Sequence, residues 1–187
     1  VFKEALIFEV GFFWAVPVFF MLSGATLFDY RTRYSTKDFL IRRAKRILIP
    51  FLFFSFLNLI WRCKNGTFTI EDYSFSNLLT IILFNQHEVV YWFFLPMFAT
   101  YLCMPVLSLL KDQKRILWYM FFVGFLTLSC FPLLFRAIGS AWNTSANFPM
   151  TGGYLIFTIL GYLLATTDFS KKQRIGFYVL AICSALF

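Results

Sequence analysis

The chain has 187 residues, of which 60% are hydrophobic and only 14% charged, and its formal net charge is +8. Soluble domains average about 25% charged residues, so a soluble protein of this composition would need an almost entirely apolar surface. The cations lie in short segments between long apolar stretches, which is typical of the cytoplasmic loops of membrane proteins rather than of a nucleic-acid-binding face. We therefore expect the lipid bilayer, and no nucleic acid, as a partner.

The apolar stretches predict an all-α, polytopic transmembrane bundle. A helix needs about 20 apolar residues to cross roughly 30 Å of hydrocarbon. The chain starts at Val1 and its last apolar stretch has only 13 residues. We therefore expect a single transmembrane domain over 1–187 that is truncated at both ends of a larger protein. Five complete spans and a truncated sixth are predicted at 5–28, 44–61, 89–110, 116–135, 150–167 and 175–187.

The distribution of Lys and Arg predicts the orientation. Segments 29–46, 111–115 and 168–174 together carry 13 of the 17 Lys and Arg residues, and these segments alternate with the other loops. Because basic loops stay in the cytoplasm, we expect all three to be cytoplasmic. The membrane is expected to be a bacterial cytoplasmic (inner) membrane. The apolar stretch 74–85 is too short to cross, and we expect it to form a short interfacial or re-entrant helix within an outer loop, 62–88.

Five prolines, at positions 17, 50, 96, 105 and 132, fall inside predicted spans. Each proline lacks an amide donor and leaves the carbonyl four residues earlier without its helical partner. Such breaks are tolerated where neighbouring helices or water satisfy the freed groups. They are consistent with helices around a polar cavity and equally with ordinary kinked helices.

The cations just before the second span form a candidate anion site. On a helix, Arg42, Arg43 and Arg46 share one face by their spacing of three and four residues, whereas Lys45 points elsewhere. These side chains could simply extend to lipid phosphates and hold the loop inside. Alternatively, their guanidinium groups could bind the phosphates of a nucleotide-bearing acyl donor, because they stay charged and form bidentate contacts.

Four blocks of the sequence resemble those of a known family. The run 16–28 (VPVFFMLSGATLF) is similar to the V-P-x-F-F-x-x-S-G-x-x-L block of the acyltransferase family 3 membrane proteins. The run 39–51 (FLIRRAKRILIPF) resembles that family's basic R-x-x-R block. Residues 91–95 (YWFFL) with 101–107 (YLCMPVL) resemble its W-F-L … Y-L-x-x-P-x-L helix, and 161–164 (GYLL) its G-Y-x-L helix. The blocks follow the family's order over residues 12 to 164.

The resemblance implies a membrane O-acyltransferase that takes an acyl group, usually acetyl, from cytoplasmic acyl-CoA. The acceptor would be a hydroxyl of a cell-surface glycan or of its lipid-linked precursor. Arg43 and Arg46 match the R-x-x-R pair expected to contact the donor, with Arg42 beside them. The family's key histidine lies before its V-P-x-F-F helix, so it is expected upstream of residue 1. We therefore expect the fragment alone to be inactive. Acyl-CoA is expected as a substrate, with no permanently bound cofactor and no metal.

His87 and Trp92 are candidates for the acceptor side. His87, the only histidine, precedes Trp92 near the start of the third predicted span. An imidazole with a pKa near neutrality could act as a general base, but a solvated loop histidine gives the same sequence. Glu9 lies in the first span, where an acid is either functional or simply reaches water at the interface.

A transporter or flippase for a glycan or lipid-linked sugar is the alternative function.

Overall fold

A computed structural model describes residues 14–66 and 93–186, with side chains described up to residue 179. Regular structure in these residues is helical, with no strand, which confirms the predicted all-α class. The helices are α1 (Ala15–Leu27), α2 (Thr36–Lys64), α3 (Phe94–Leu107), α4 (Lys114–Ala137), α5 (Leu155–Thr166) and α6 (Lys171–Leu186). Residues 108–110 add a 3-10 turn to α3.

Two of these helices, α2 and α4, are long and apolar enough to cross a membrane. They cover the predicted spans 44–61 and 116–135. Helix α2 begins at Thr36, before the predicted span 44–61, because Ser35 caps it. The Ser35 hydroxyl accepts a hydrogen bond of 3.1 Å from the Asp38 amide. Asp38 in the first turn also places negative charge at the positive end of the helix dipole. The arginine cluster therefore lies on a helix rather than in a loop.

The predicted span 150–167 is interrupted. Helix α5 begins only at Leu155 and has 12 residues, about 18 Å at 1.5 Å per residue. Before it, Pro149–Thr151 form a 3-10 turn, and Gly153 has a positive φ of 61°, a conformation that favours glycine. Residues 5–13, 74–85 and 89–92, which belong to other predicted elements, lie outside the described residues.

Helices α1 and α5 pack backbone against backbone. A Cβ atom added at Gly24 would lie 1.8 Å from the Thr158 carbonyl oxygen, and one added at Gly161 would lie 1.9 Å from that of Met21. Small residues at such crossings let two apolar helices approach closely, which is the usual way that membrane helices associate. Around this contact lies the buried core, which includes Phe20, Phe28, Met104, Leu117, Ile159 and Leu163.

Polar contacts gather several helix termini at one end of the bundle. Arg31 donates from Nε to the Ser108 hydroxyl (2.7 Å) and from Nη2 to the Pro105 carbonyl (3.0 Å). The Tyr162 hydroxyl donates to the Lys111 carbonyl (3.0 Å), and Lys114 donates to the carbonyl of Thr166. This end, which we call the basic end, joins the segments 29–46, 111–115 and 168–174 that carry 13 of the 17 cations.

Candidate functional site

A small cavity of about 160 Å³ opens at the basic end, between the last turn of α1, the following loop and the first turns of α2. It brings together the three arginines that the sequence singled out, Arg42, Arg43 and Arg46. Lys45 is not among its lining residues, as the helical spacing predicts. The remaining lining residues are Thr26, Leu27, Tyr30, Arg33, Tyr34 and Phe39. We call this cavity the arginine pocket.

Aromatic rings hold two of the guanidinium groups in place. The Arg42 guanidinium carbon lies 4.6 Å from the ring centroid of Tyr34. That of Arg43 lies 5.8 Å from the Phe39 centroid and 5.7 Å from the Tyr101 centroid. Such cation–π contacts orient a guanidinium group while leaving its N–H groups available for other acceptors.

The ring of Tyr30 forms the base of the pocket wall. It stacks on Phe39 with centroids 4.0 Å apart, and its hydroxyl lies 3.0 Å from the Thr36 hydroxyl. Tyr30 and Phe39 are both buried. These contacts fix the turn between α1 and α2, and so they set the position of Arg33 and Tyr34 relative to the helical arginines.

Among the described residues, the pocket carries an excess of positive charge, with Asp29 near Arg33 as an acidic neighbour. Within the part of the chain that the structure describes, none of its four arginines forms an ion pair with a carboxylate. Four guanidinium groups around a space of this volume suit a phosphate or diphosphate group, because each guanidinium can donate two parallel hydrogen bonds to an oxyanion. The arrangement is therefore a candidate anion site.

An ion pair supports the loop that carries Arg33 and Tyr34. The Lys111 ammonium lies 2.8 Å from a carboxylate oxygen of Asp29. The hydrogen bond from Lys111 lowers the pKa of Asp29, and the same bond raises the pKa of Lys111. Both groups therefore stay charged throughout the neutral pH range. With the two hydrogen bonds from Arg31, the pair ties this loop to the junction of α3 and α4.

Three of the sequence blocks meet beside the pocket. The hydroxyl oxygens of Ser23 and Tyr101 lie 3.5 Å apart, and Phe28 stacks on Tyr162 with centroids 4.2 Å apart. Gly24 contacts the backbone of α5 one turn before Gly161. The blocks that are distant in the sequence are thus neighbours in the fold.

The pocket also contains residues that the sequence analysis did not assign to a site, among them Arg33 and Tyr34. Arg33 lines the pocket, but its place depends on the turn after α1, and the only sequence signal is its position among the clustered cations. His87, Trp92 and Glu9 lie outside the described residues, so their roles stay predictions.

Comparisons with known proteins give the family. Neither a curated protein nor a solved structure is significantly similar to the chain. The family profile of acyltransferase family 3, described as an acyltransferase domain, matches residues 2–187. This match spans nearly the whole chain and agrees with the blocks that converge at the basic end. With two helices able to cross a bilayer, the chain belongs to the acyltransferase family 3 of integral membrane enzymes.

Proposed function

We propose that the protein transfers an acyl group, in the first instance acetyl, from cytoplasmic acyl-CoA to a hydroxyl of a cell-surface glycan or its lipid-linked precursor. The observation that carries this proposal is the arginine pocket, where four guanidinium groups converge and, among the described residues, form no ion pair with a carboxylate. Coenzyme A presents phosphate groups that such a pocket can hold by charge-assisted hydrogen bonds. The proposal places the basic end in the cytoplasm of a bacterium, in agreement with the positive-inside rule.

The reaction requires three contributions from the protein: a base for the acceptor hydroxyl, hydrogen-bond donors for the oxyanion, and a site that holds the acyl donor. The acceptor oxygen forms a bond to the acyl carbonyl carbon, the carbon–sulfur bond breaks, and coenzyme A leaves as the thiol once its sulfur has taken a proton. A base must take the hydroxyl proton, and donors must stabilise the oxyanion. The arginine pocket supplies the third contribution, which is to hold the donor by its phosphates.

The donor site can be tested by binding acetyl-CoA to the purified full-length protein. We expect the Arg43→Ala/Arg46→Ala variant to bind about 100-fold more weakly or worse, because hydrogen bonds between charged groups contribute about 1.5–3 kcal/mol each. Titration calorimetry at two salt concentrations measures the affinity and its ionic component. Lys45→Ala is the matched control, since it removes a cation from the same helical turn outside the pocket.

Two results would contradict the proposal. One is equal loss of affinity in Lys45→Ala, which would indicate a general effect of charge. The other is no acetyl-CoA binding by a well-folded wild type, which would leave the arginines as topology signals and favour transport of a glycan or lipid-linked sugar.

A further inference from the structure

Both the middle of α4 and the chain segment beside it depart from regular α-helix. Both lie far from the basic end. Residues Leu126–Cys130 of α4 form a π-helical segment just before Pro132. The Phe148 amide donates a 3.2 Å hydrogen bond to the Thr127 hydroxyl. Thr127 lies ten residues before the end of α4 at Ala137, about 15 Å at 1.5 Å per residue. The segment 138–154 therefore turns back along α4 instead of continuing beyond it.

Close packing holds this returning segment in place. Thr151 is fully buried, and a Cβ atom added at Gly124 would lie 2.3 Å from the Thr151 hydroxyl oxygen. In a bilayer, non-helical backbone is tolerated only where protein buries it or where it lines a cavity. π-Helical segments in α-helices are likewise frequent at functional sites. Two cavities lie beside these features.

The first cavity, which we call the polar basin, is open and has a volume of about 720 Å³. It lies at the end of α4 that is opposite the basic end. Trp142 is fixed in its wall: the indole N–H donates a 2.8 Å hydrogen bond to Asn147 Oδ1, and the rings of Phe131 and Phe135 lie 5.1 Å from it, centroid to centroid. Polar groups line the basin around this ring, namely Arg136, Ser140, Thr144 and Asn147.

The chemistry of the basin matches a sugar. A sugar ring has apolar C–H faces that pack on an aromatic surface, and hydroxyls that pair with amide, hydroxyl and guanidinium groups. Binding sites for small molecules commonly combine an apolar, aromatic wall with a few placed polar groups. Among the described residues that line the basin, Arg136 is the single cation, in contrast to the four arginines of the arginine pocket.

The second cavity, which we call the apolar cleft, has a volume of about 510 Å³ and lies between α4 and α5. Its walls are mainly aromatic and aliphatic, with Phe121, Phe125, Tyr154, Phe157 and Leu160 among them. Leu128, in the π-helical segment, lines both cavities, so the cleft and the basin adjoin at this side chain. A hydrocarbon chain is the ligand that such a cleft accepts.

We propose that the polar basin and the apolar cleft form one binding site for a lipid-linked sugar, with the sugar against Trp142 and the hydrocarbon chain between α4 and α5. That this ligand is the acyl acceptor rests on the proposed function. The prediction that this ligand binds does not depend on the proposed function, because both cavities lie apart from the arginine pocket and involve none of its residues.

Photocrosslinking of the full-length protein in phosphatidylcholine nanodiscs tests the site. The probes are two forms of hexadecyl β-glucoside, one with a diazirine on the sugar and one with a diazirine in the middle of the chain. We expect the sugar probe to label residues 132–147 and the chain probe to label 121–129 and 153–160. Unlabelled hexadecyl β-glucoside should compete with both probes, and hexadecylphosphocholine should not.

Variants at the basin make the test specific. We expect Trp142→Ala to reduce labelling by the sugar probe roughly fivefold to tenfold, the effect of losing one aromatic contact. Trp142→Phe keeps an aromatic ring and should retain most of the labelling, which separates the loss of a contact from misfolding. Trp61→Ala is the matched control, because this exposed indole lines neither cavity.

Three outcomes would overturn the proposal. Labelling spread over the whole lipid-facing surface would show contact with bulk lipid only, and equal competition by hexadecylphosphocholine would show a phospholipid site. Unchanged labelling of Trp142→Ala would remove the sugar from the basin. The experiment contains no acyl-CoA, so its result is independent of the result of the acetyl-CoA titration.

Discussion

Two glycines determine how closely the first and fifth helices approach each other. At Gly24 and Gly161 the neighbouring backbone occupies the space that any Cβ would need. The obstructing atoms belong to main chain, which cannot turn aside as a flexible side chain can. The helices must therefore separate to admit even one methyl group, and the stacked rings of Phe28 and Tyr162 nearby would move with them.

We expect Gly24→Ala and Gly161→Ala each to destabilise the full-length protein by about 1–3 kcal/mol, the usual cost of overpacking. Thermal unfolding followed by size-exclusion chromatography in detergent measures the change. Gly176→Ala is the control: no atom of the described residues lies within 4 Å of an added Cβ there, and alanine is the better helix former by about 1 kcal/mol. A Gly24→Ala protein as stable as Gly176→Ala would contradict the packing described.

For individual residues, the sequence predicts those positions that follow from local helical periodicity. The shared face of Arg42, Arg43 and Arg46 follows from helical spacing, and the structure places these residues in one pocket. Arg33 and Tyr34 could not be assigned, because they reach the pocket through a turn whose shape depends on Tyr30 and Phe39. The contact of Gly24 with α5 involves residues far apart in the chain, and no local pattern encodes it.

Among the elements, α4 and the segment after it form a unit. The Thr127 hydroxyl donates to the Val123 carbonyl (3.0 Å) and accepts the Phe148 amide (3.2 Å), so one side chain connects the helix to the returning segment. Hydrogen bonds of this kind satisfy backbone groups that irregular structure leaves without helical partners.

We expect Thr127→Val, which keeps the shape of the side chain, to free the Phe148 amide and to cost about 1–3 kcal/mol. Hydrogen–deuterium exchange of the full-length protein should show faster exchange in peptides covering residues 146–150, with helix α2 unchanged. Thr26→Val is the matched control, because within the described part of the chain that hydroxyl bonds carbonyls of its own helix. Equal protection of residues 146–150 in Thr127→Val and the wild type would refute the connection.

The elements were predictable to different degrees for physical reasons. Helices α2 and α4 are long and each contains a long apolar stretch, so hydropathy alone located them. The stretch 150–167 is equally apolar, but Pro149 and the positive φ of Gly153 delay the helix to Leu155. Hydropathy measures the free energy of transfer into lipid. It does not account for backbone groups that hydrogen-bond to neighbouring protein instead of to their own helix.

The molecule as a whole has two chemically different ends. The basic end carries most of the cations and the arginine pocket, whereas the polar basin lies at the far end of α4. If the basic end is cytoplasmic, as proposed, the two candidate sites face opposite sides of the membrane. This separation is what transfer from a cytoplasmic donor to an acceptor outside requires.

Cysteine labelling in intact cells tests this orientation. In a full-length variant whose four cysteines in this chain are replaced by alanine, we expect Ser140→Cys to react with a membrane-impermeant maleimide added outside. Lys172→Cys should react only after permeabilisation, because it belongs to the basic end. Labelling of Lys172→Cys in sealed cells would reverse the orientation and, with it, the assignment of the arginine pocket to a cytoplasmic donor.

The contact between Gly24 and Thr158 also bears on how the protein is made. More than a hundred residues separate the two positions, and synthesis proceeds at about 5–20 residues per second. If α1 spans the bilayer as the sequence predicts, it resides there for roughly ten seconds before α5 emerges from the ribosome. During that interval its glycine-containing face contacts lipid or another protein, and a membrane insertase or chaperone that shields this face would raise the yield of correctly assembled bundle.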